Sequence, residues 1–139
     1  MISKKRLLWT ARSLVGVVTF LNLQAAFLFM LRPQDFFGGF ELNGEPGMAM
    51  IRGMGLLFLM WNIPYIVALI HPLRHYVSLI EAVIMQAIGV AGESILLATL
   101  PQVHPQLHAS VMRFIYFDGG GLALLLAAFF LIRSLKKSM

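Results

Sequence analysis

Along the chain, apolar residues gather into four long runs separated by short polar stretches: Leu7 to Leu31, Met48 to Ile70, Val77 to Leu100 and Val111 to Ile132. Each is close to the ~20 apolar residues that about 30 Å of hydrocarbon requires of a spanning helix. Inside a bilayer only helices and closed barrels satisfy their backbone groups, and runs of this length and continuity mean helices. The connections "HPLRHY" and "PQVHPQLHAS" are short enough to force antiparallel neighbours. The expected fold is therefore all-α, a polytopic antiparallel bundle of four transmembrane helices forming one domain over residues 1–139.

Composition agrees with this reading and narrows it. Of 139 residues, 59% are hydrophobic and 12% charged, against about 45–50% and about 25% in soluble domains. The connections leave no room for a separate soluble domain. The start, "MISKKRLLW", has the basic head of a secretory signal, but its apolar run continues past Ala25 and Ala26 without a small-x-small cleavage site, so it reads as a retained first helix.

Basic residues beside membrane segments stay on the cytoplasmic side. Lys4, Lys5, Arg6, Arg133, Lys136 and Lys137 lie at the chain ends and Arg74 in the second connection, whereas the first carries Asp35, Glu41 and Glu45. Both termini are expected in the cytoplasm of a bacterial-type cell membrane, with the first and third loops outside. The net charge of +5 is then a topology signal; no basic face or recognition motif points to nucleic acid. The absence of cysteine excludes disulfides, thiolate metal sites and cysteine nucleophiles.

Ionisable side chains inside hydrocarbon cost about 2.5–3.5 kcal/mol each on insertion scales, so each needs a partner or a cavity. Counting depth at about 1.5 Å per residue places Glu93 and Asp118 at one level, roughly 10 Å below the outer boundary. Gln24 falls near that level, Asn22 slightly deeper, and Arg52 and Arg113 nearer the surface. On the inner side, Arg12 and Glu81 are placed to form an ion pair. On the third helix Ser78, Ala82, Gln86, Gly89 and Glu93 recur at three- and four-residue intervals, one stripe of small and polar residues that should face the other helices.

This layer has two readings. In the structural one, Glu93 and Asp118 are neutralised by Arg52 and Arg113 and the charges fix helix packing. In the functional one, the layer forms a polar pocket holding the head of a lipophilic ligand or relaying protons. Asn62, two residues before Pro64, is suited to satisfy a carbonyl freed where the proline bends the second helix. The stretch "FDGGGL" (117–122) lacks the Lys–Ser/Thr pair of a phosphate loop; its glycines allow either close helix approach or a local break beside Asp118. The loop "RPQDFFGGFELNGEPG" (32–47) mixes turn formers with Phe36, Phe37, Phe40 and Leu42. Its plain reading is an interfacial loop, its sharper one a lid over an outward-facing cavity.

All four histidines occur in a repeated spelling, "HPLRH" (71–75) and "HPQLH" (104–108). An i, i+4 pair on a helix can share a metal ion, and His104 with His108 is the better candidate. Haem is disfavoured, since its axial histidines belong within the helices. A quinone or other lipid-like ligand needs only an apolar cleft with one or two polar groups.

The layout, with "RPQDFFGGF" in the outer loop, "IRGMGLLFL" opening the second helix and "RFIYFDGGG" in the last, resembles the DoxX-like small four-helix membrane proteins of bacteria. The resemblance implies a small cytoplasmic-membrane protein, in some members associated with thiosulfate-to-quinone electron transfer and in many without assigned activity; it brings no set of catalytic residues. Two functions are expected. One is a non-enzymatic binding or accessory subunit that holds a lipid-like or quinone-like ligand, or partner helices, as a homo-oligomer or within a larger membrane complex. The other is an intramembrane enzyme or redox component using Glu93 and Asp118 with a metal at His104 and His108.

Overall fold

A computed structural model describes residues 3–138. The described residues are mostly helical, with no strand among them, and four helical segments are long and apolar enough to cross a membrane. The first is α1 (Lys4–Leu31), which ends where Arg32 precedes Pro33 and can no longer hold helical dihedrals. Two 3₁₀ turns, Pro33–Asp35 and Phe37–Phe40, follow. The second span is α2 (Gly44–Trp61) continued by α3 (Ile63–Ile70), the third α4 (Tyr76–Thr99) and the fourth α5 (Pro105–Lys137).

The last helix is longer than its apolar run because Pro105 occupies its first turn, where the missing N–H costs nothing. At its other end Lys136 and Lys137 complement the helix dipole. The division of the second span at Asn62 follows from Pro64, which cannot donate to the preceding turn. Asn62 Nδ2 donates to the Phe58 carbonyl at 2.7 Å, which its own backbone N–H also reaches at 3.1 Å, and not to the Met60 carbonyl that a residue with an N–H at position 64 would have served.

The bend separates two regimes. Toward the end that carries both chain termini, where Lys4 Nζ donates to the Ser138 carbonyl at 3.0 Å, the helices form a closed ring: α1 on α3, α3 on α4, α4 on α5 and α5 on α1. The hydrophobic core lies here, built from Ala11, Val15 and Val18 of α1, Tyr65 and Ala68 of α3, Leu79 and Ala82 of α4, and Leu125, Ala128, Ile132 and Leu135 of α5.

Toward the other end, the α2 backbone approaches α1 but neither α4 nor α5. Gly55 makes the α1 contact possible: a Cβ there would lie 2.7 Å from the Ala26 carbonyl oxygen and 2.8 Å from Met30 Cγ. Large apolar side chains such as Phe20, Leu57, Ile88 and Ile95 are exposed around the outside, the pattern of helices whose solvent is lipid.

The ion pair expected between Arg12 and Glu81 is not formed. Arg12 Nε donates to the Leu69 carbonyl at 3.1 Å and its guanidinium stacks 4.5 Å from the Trp9 ring centroid, while Glu81 is exposed. The last turn of a helix leaves its carbonyls without intrahelical donors, and in α3 one of these carbonyls captures the arginine.

Candidate functional site

Where α2 splays from α4 and α5, the bundle encloses a cavity of about 450 Å³. Asn22, Ala25 and Phe29 reach it from α1, spaced to share one helix face. From the second span come Phe58, Trp61 and Asn62; from α4, Gln86, Gly89 and Glu93; from α5, Ser110, Arg113, Phe114, Phe117 and Asp118. Asp35, Gly39 and Phe40 of the 3₁₀ turns, with Phe36 between the two turns, complete the lining and roof it.

At the deep end, Tyr65 donates its hydroxyl to Gln86 Oε1 at 2.6 Å. Gln86 in turn donates Nε2 to Asp118, at 2.9 Å to the carboxylate Oδ1 and 3.2 Å to the backbone carbonyl. These bonds fix Asp118 against α4, and two glycines make room for them. A Cβ at Gly89 would stand 2.5 Å from Asp118 Oδ2, and one at Gly121 would stand 2.7 Å from Gln86 Nε2. Gly119 and Gly120 face open space. The "GGG" run therefore holds one close-packing glycine, on a helix that stays continuous through it.

Two polar atoms in this lining are buried without a partner: Asn62 Oδ1 and Glu93 Oε2. An unsatisfied buried acceptor costs about 1–3 kcal/mol, more if charged. The expected neutralisation of Glu93 and Asp118 by Arg52 and Arg113 does not occur. Arg52 lies exposed on α2, outside the cavity lining, because the splay carries that helix away from α4. Arg113 Nη2 instead donates to Ser110 Oγ, one turn back on its own helix, at 2.9 Å. Gln24 is also exposed and off the lining, about 100° around α1 from the Ala25 face. The cavity thus gathers Asn22, Gln86, Glu93, Arg113 and Asp118 of the expected layer and leaves Gln24 and Arg52 outside.

Aromatic rings occupy the space between these polar groups and the roof. Phe29 lies 4.6 Å from Phe36, 5.7 Å from Phe58 and 6.2 Å from Phe114, ring centre to ring centre, and Phe40 lies 5.8 Å from Phe114. Such pairs contribute about 0.5–1.5 kcal/mol each beyond burial. Nothing in the sequence distinguished Phe29, Phe58 or Phe114 from the lipid-facing phenylalanines around them. Asn62 was visible only as a kink residue.

Two hydrogen-bond sets hold the roof on α5. Ser110 Oγ donates to the Gly39 carbonyl at 2.6 Å. Glu41, whose backbone is left-handed (φ 56) at the close of the second turn, accepts from His104 Nδ1 at 2.5 Å and from the Leu107 N–H at 3.3 Å. The His104 bond holds the Glu41 carboxyl below its ordinary 4.5.

His108 Nε2 lies 3.1 Å from the carbonyl oxygens of both Leu100 and Pro101. The two outer histidines thus turn to different partners, and no group of three or more His, Cys, Asp or Glu side chains suited to a metal ion exists among the described residues. The chain matches no family model, no curated protein and no solved structure.

Proposed function

We propose that this chain is a small integral membrane protein that holds a lipid-like or quinone-like ligand in the cavity between α2, α4 and α5, as a non-enzymatic binding or accessory subunit. The observation that carries the reading is the cavity itself. Its volume lies within the roughly 300–1,000 Å³ usual for small-molecule sites, and its aromatic walls are interrupted by a small number of polar groups. The α2 and α4 backbones do not meet, and the gap between them gives an apolar ligand a route in from the surrounding bilayer.

The basic residues beside the chain ends support an orientation with both termini in the cytoplasm of a bacterial-type cell membrane and the roof outside. A layout like that of DoxX-like proteins fits the same picture. Exposed Ala91 and Gly92 on α4, the latter with open space above it, suit the approach of a partner helix from a second copy or a larger complex.

The test is to purify the protein in mild detergent and identify co-extracted lipids and quinones by mass spectrometry, beside Ala25→Trp, which fills the cavity from α1. A stoichiometric apolar species should accompany the native protein and be lost from the variant. Equal recovery from both would refute the cavity as the site. A reporter fusion showing the C-terminus outside would refute the orientation.

A further inference from the structure

Resting on that reading of the cavity, we propose that its ligand is a lipophilic monocation with an N–H donor, a protonated amine on an apolar or aromatic body. The first ground is the kind of polar atom left without a partner. Asn62 is 1% exposed and its Nδ2 is committed to the Phe58 carbonyl, which accepts only from a donor. The unpartnered end of that amide is therefore its oxygen. Gln86 is likewise committed at both ends, accepting from Tyr65 and donating to Asp118. With Glu93 Oε2, the free positions contributed by the bend of the second span and by α4 are both acceptors.

The second ground is charge. Asp35 in the roof is paired with Arg32 at 2.6 Å. The remaining ionisable lining residues are Glu93 and Asp118 against Arg113 alone, and no ion pair joins Arg113 to either. Glu93 and Asp118 lie within side-chain hydrogen-bonding reach of each other, which two carboxyl groups manage only by holding one proton between them. An amine, the stronger base, takes up that proton and becomes the cation that the carboxylate pair then balances beside Arg113. Five phenylalanine rings in mutual contact, Phe29, Phe36, Phe40, Phe58 and Phe114, line the same space. Ring faces attract cations, most strongly away from water. A quinone head, which has only acceptor oxygens, would turn to the Asn22 amide, the Trp61 indole or Arg113, and would leave the free acceptors unanswered.

The experiment uses four probes with one tail and different heads: decylamine, decanol, decanoate and a decyl-substituted benzoquinone. Binding is read from Trp61 fluorescence in a Trp9→Phe protein in lipid nanodiscs at neutral pH. Decylamine should bind at least about tenfold more tightly than the other three, and Glu93→Gln should lower its affinity about tenfold while shifting decanol less than about twofold. Asp118→Asn serves as the second variant if Glu93→Gln does not fold, with the same expectation. A preference for decanol, decanoate or the quinone, or an amine affinity unchanged by these variants, overturns the cation assignment and leaves the cavity as a site. Absence of saturable binding by all four overturns the assignment together with the cavity reading beneath it.

Discussion

The contact between Gly89 and Asp118 yields the sharpest quantitative expectation. Replacing a helix-interior glycine by alanine normally stabilises the helix, by about 0.8–1.0 kcal/mol in water-soluble hosts. At Gly92, where a Cβ would meet nothing, Gly92→Ala should be neutral or stabilising. At Gly89 the same methyl would lie 2.5 Å from Asp118 Oδ2, so the carboxylate must leave its seat. Moving it breaks the 2.9 Å bond from Gln86, worth about 1.5–3 kcal/mol for a charged acceptor. Overpacking adds about 1–3 kcal/mol. After the gain in propensity, Gly89→Ala should lose about 2 kcal/mol or more.

The clash is with the carboxylate and not with the helix: Asp118 Cβ would be 4.0 Å away, an ordinary contact. Asp118→Ala should therefore rescue Gly89→Ala, and a double-mutant cycle on thermal unfolding in detergent should return a coupling of about 2 kcal/mol. Additivity within about 0.5 kcal/mol, the behaviour of independent sites, would refute the packing of α4 against α5 described above.

Three further outcomes follow from the same geometry. Gly55→Ala should destabilise the protein by about 1–3 kcal/mol by forcing α1 and α2 apart, whereas Gly53→Ala, in open space, should not; melting curves of the pair decide it. Ser110→Ala removes the donor to the Gly39 carbonyl and the acceptor of Arg113, and should raise amide exchange across residues 36–42, at a cost of about 1 kcal/mol. The Glu41 carboxyl is held below 4.5 in the folded protein. The roof's stabilisation by this group should be complete above that value and decline as pH falls through the lower folded one. Exchange of the 36–42 amides should then rise on acidification below about pH 4.5, and Glu41→Gln should remove that acid dependence; an unchanged profile would show that the latch is not formed in solution.

Much of the architecture was legible in residue order because hydrocarbon imposes a length and a helix on any apolar run, whatever its neighbours. The stripe from Ser78 to Glu93 also identified the inner face of α4, since spacing along a helix fixes angle around it. Depth along a helix likewise brought Glu93 and Asp118 to one level. What depth could not supply was the angle of each remaining side chain and the separation of the helices carrying them. Gln24 shares the level and points elsewhere, Arg52 rides away on a splayed helix, and Arg113 turns back to Ser110.

By itself, then, the sequence determined four antiparallel spanning helices, a bend at Pro64 and a polar layer in one half of the bundle, because these depend on local hydrophobicity, helical period and backbone chemistry. Only the tertiary structure decided that the bend opens a cavity, that the phenylalanines of α1, α2, α5 and the loop meet to line it, and that its carboxylates go without arginine partners. These are consequences of where helices sit relative to one another, set by close approaches such as Gly55 on Ala26 and Gly89 on Asp118. No single segment encodes a distance to another.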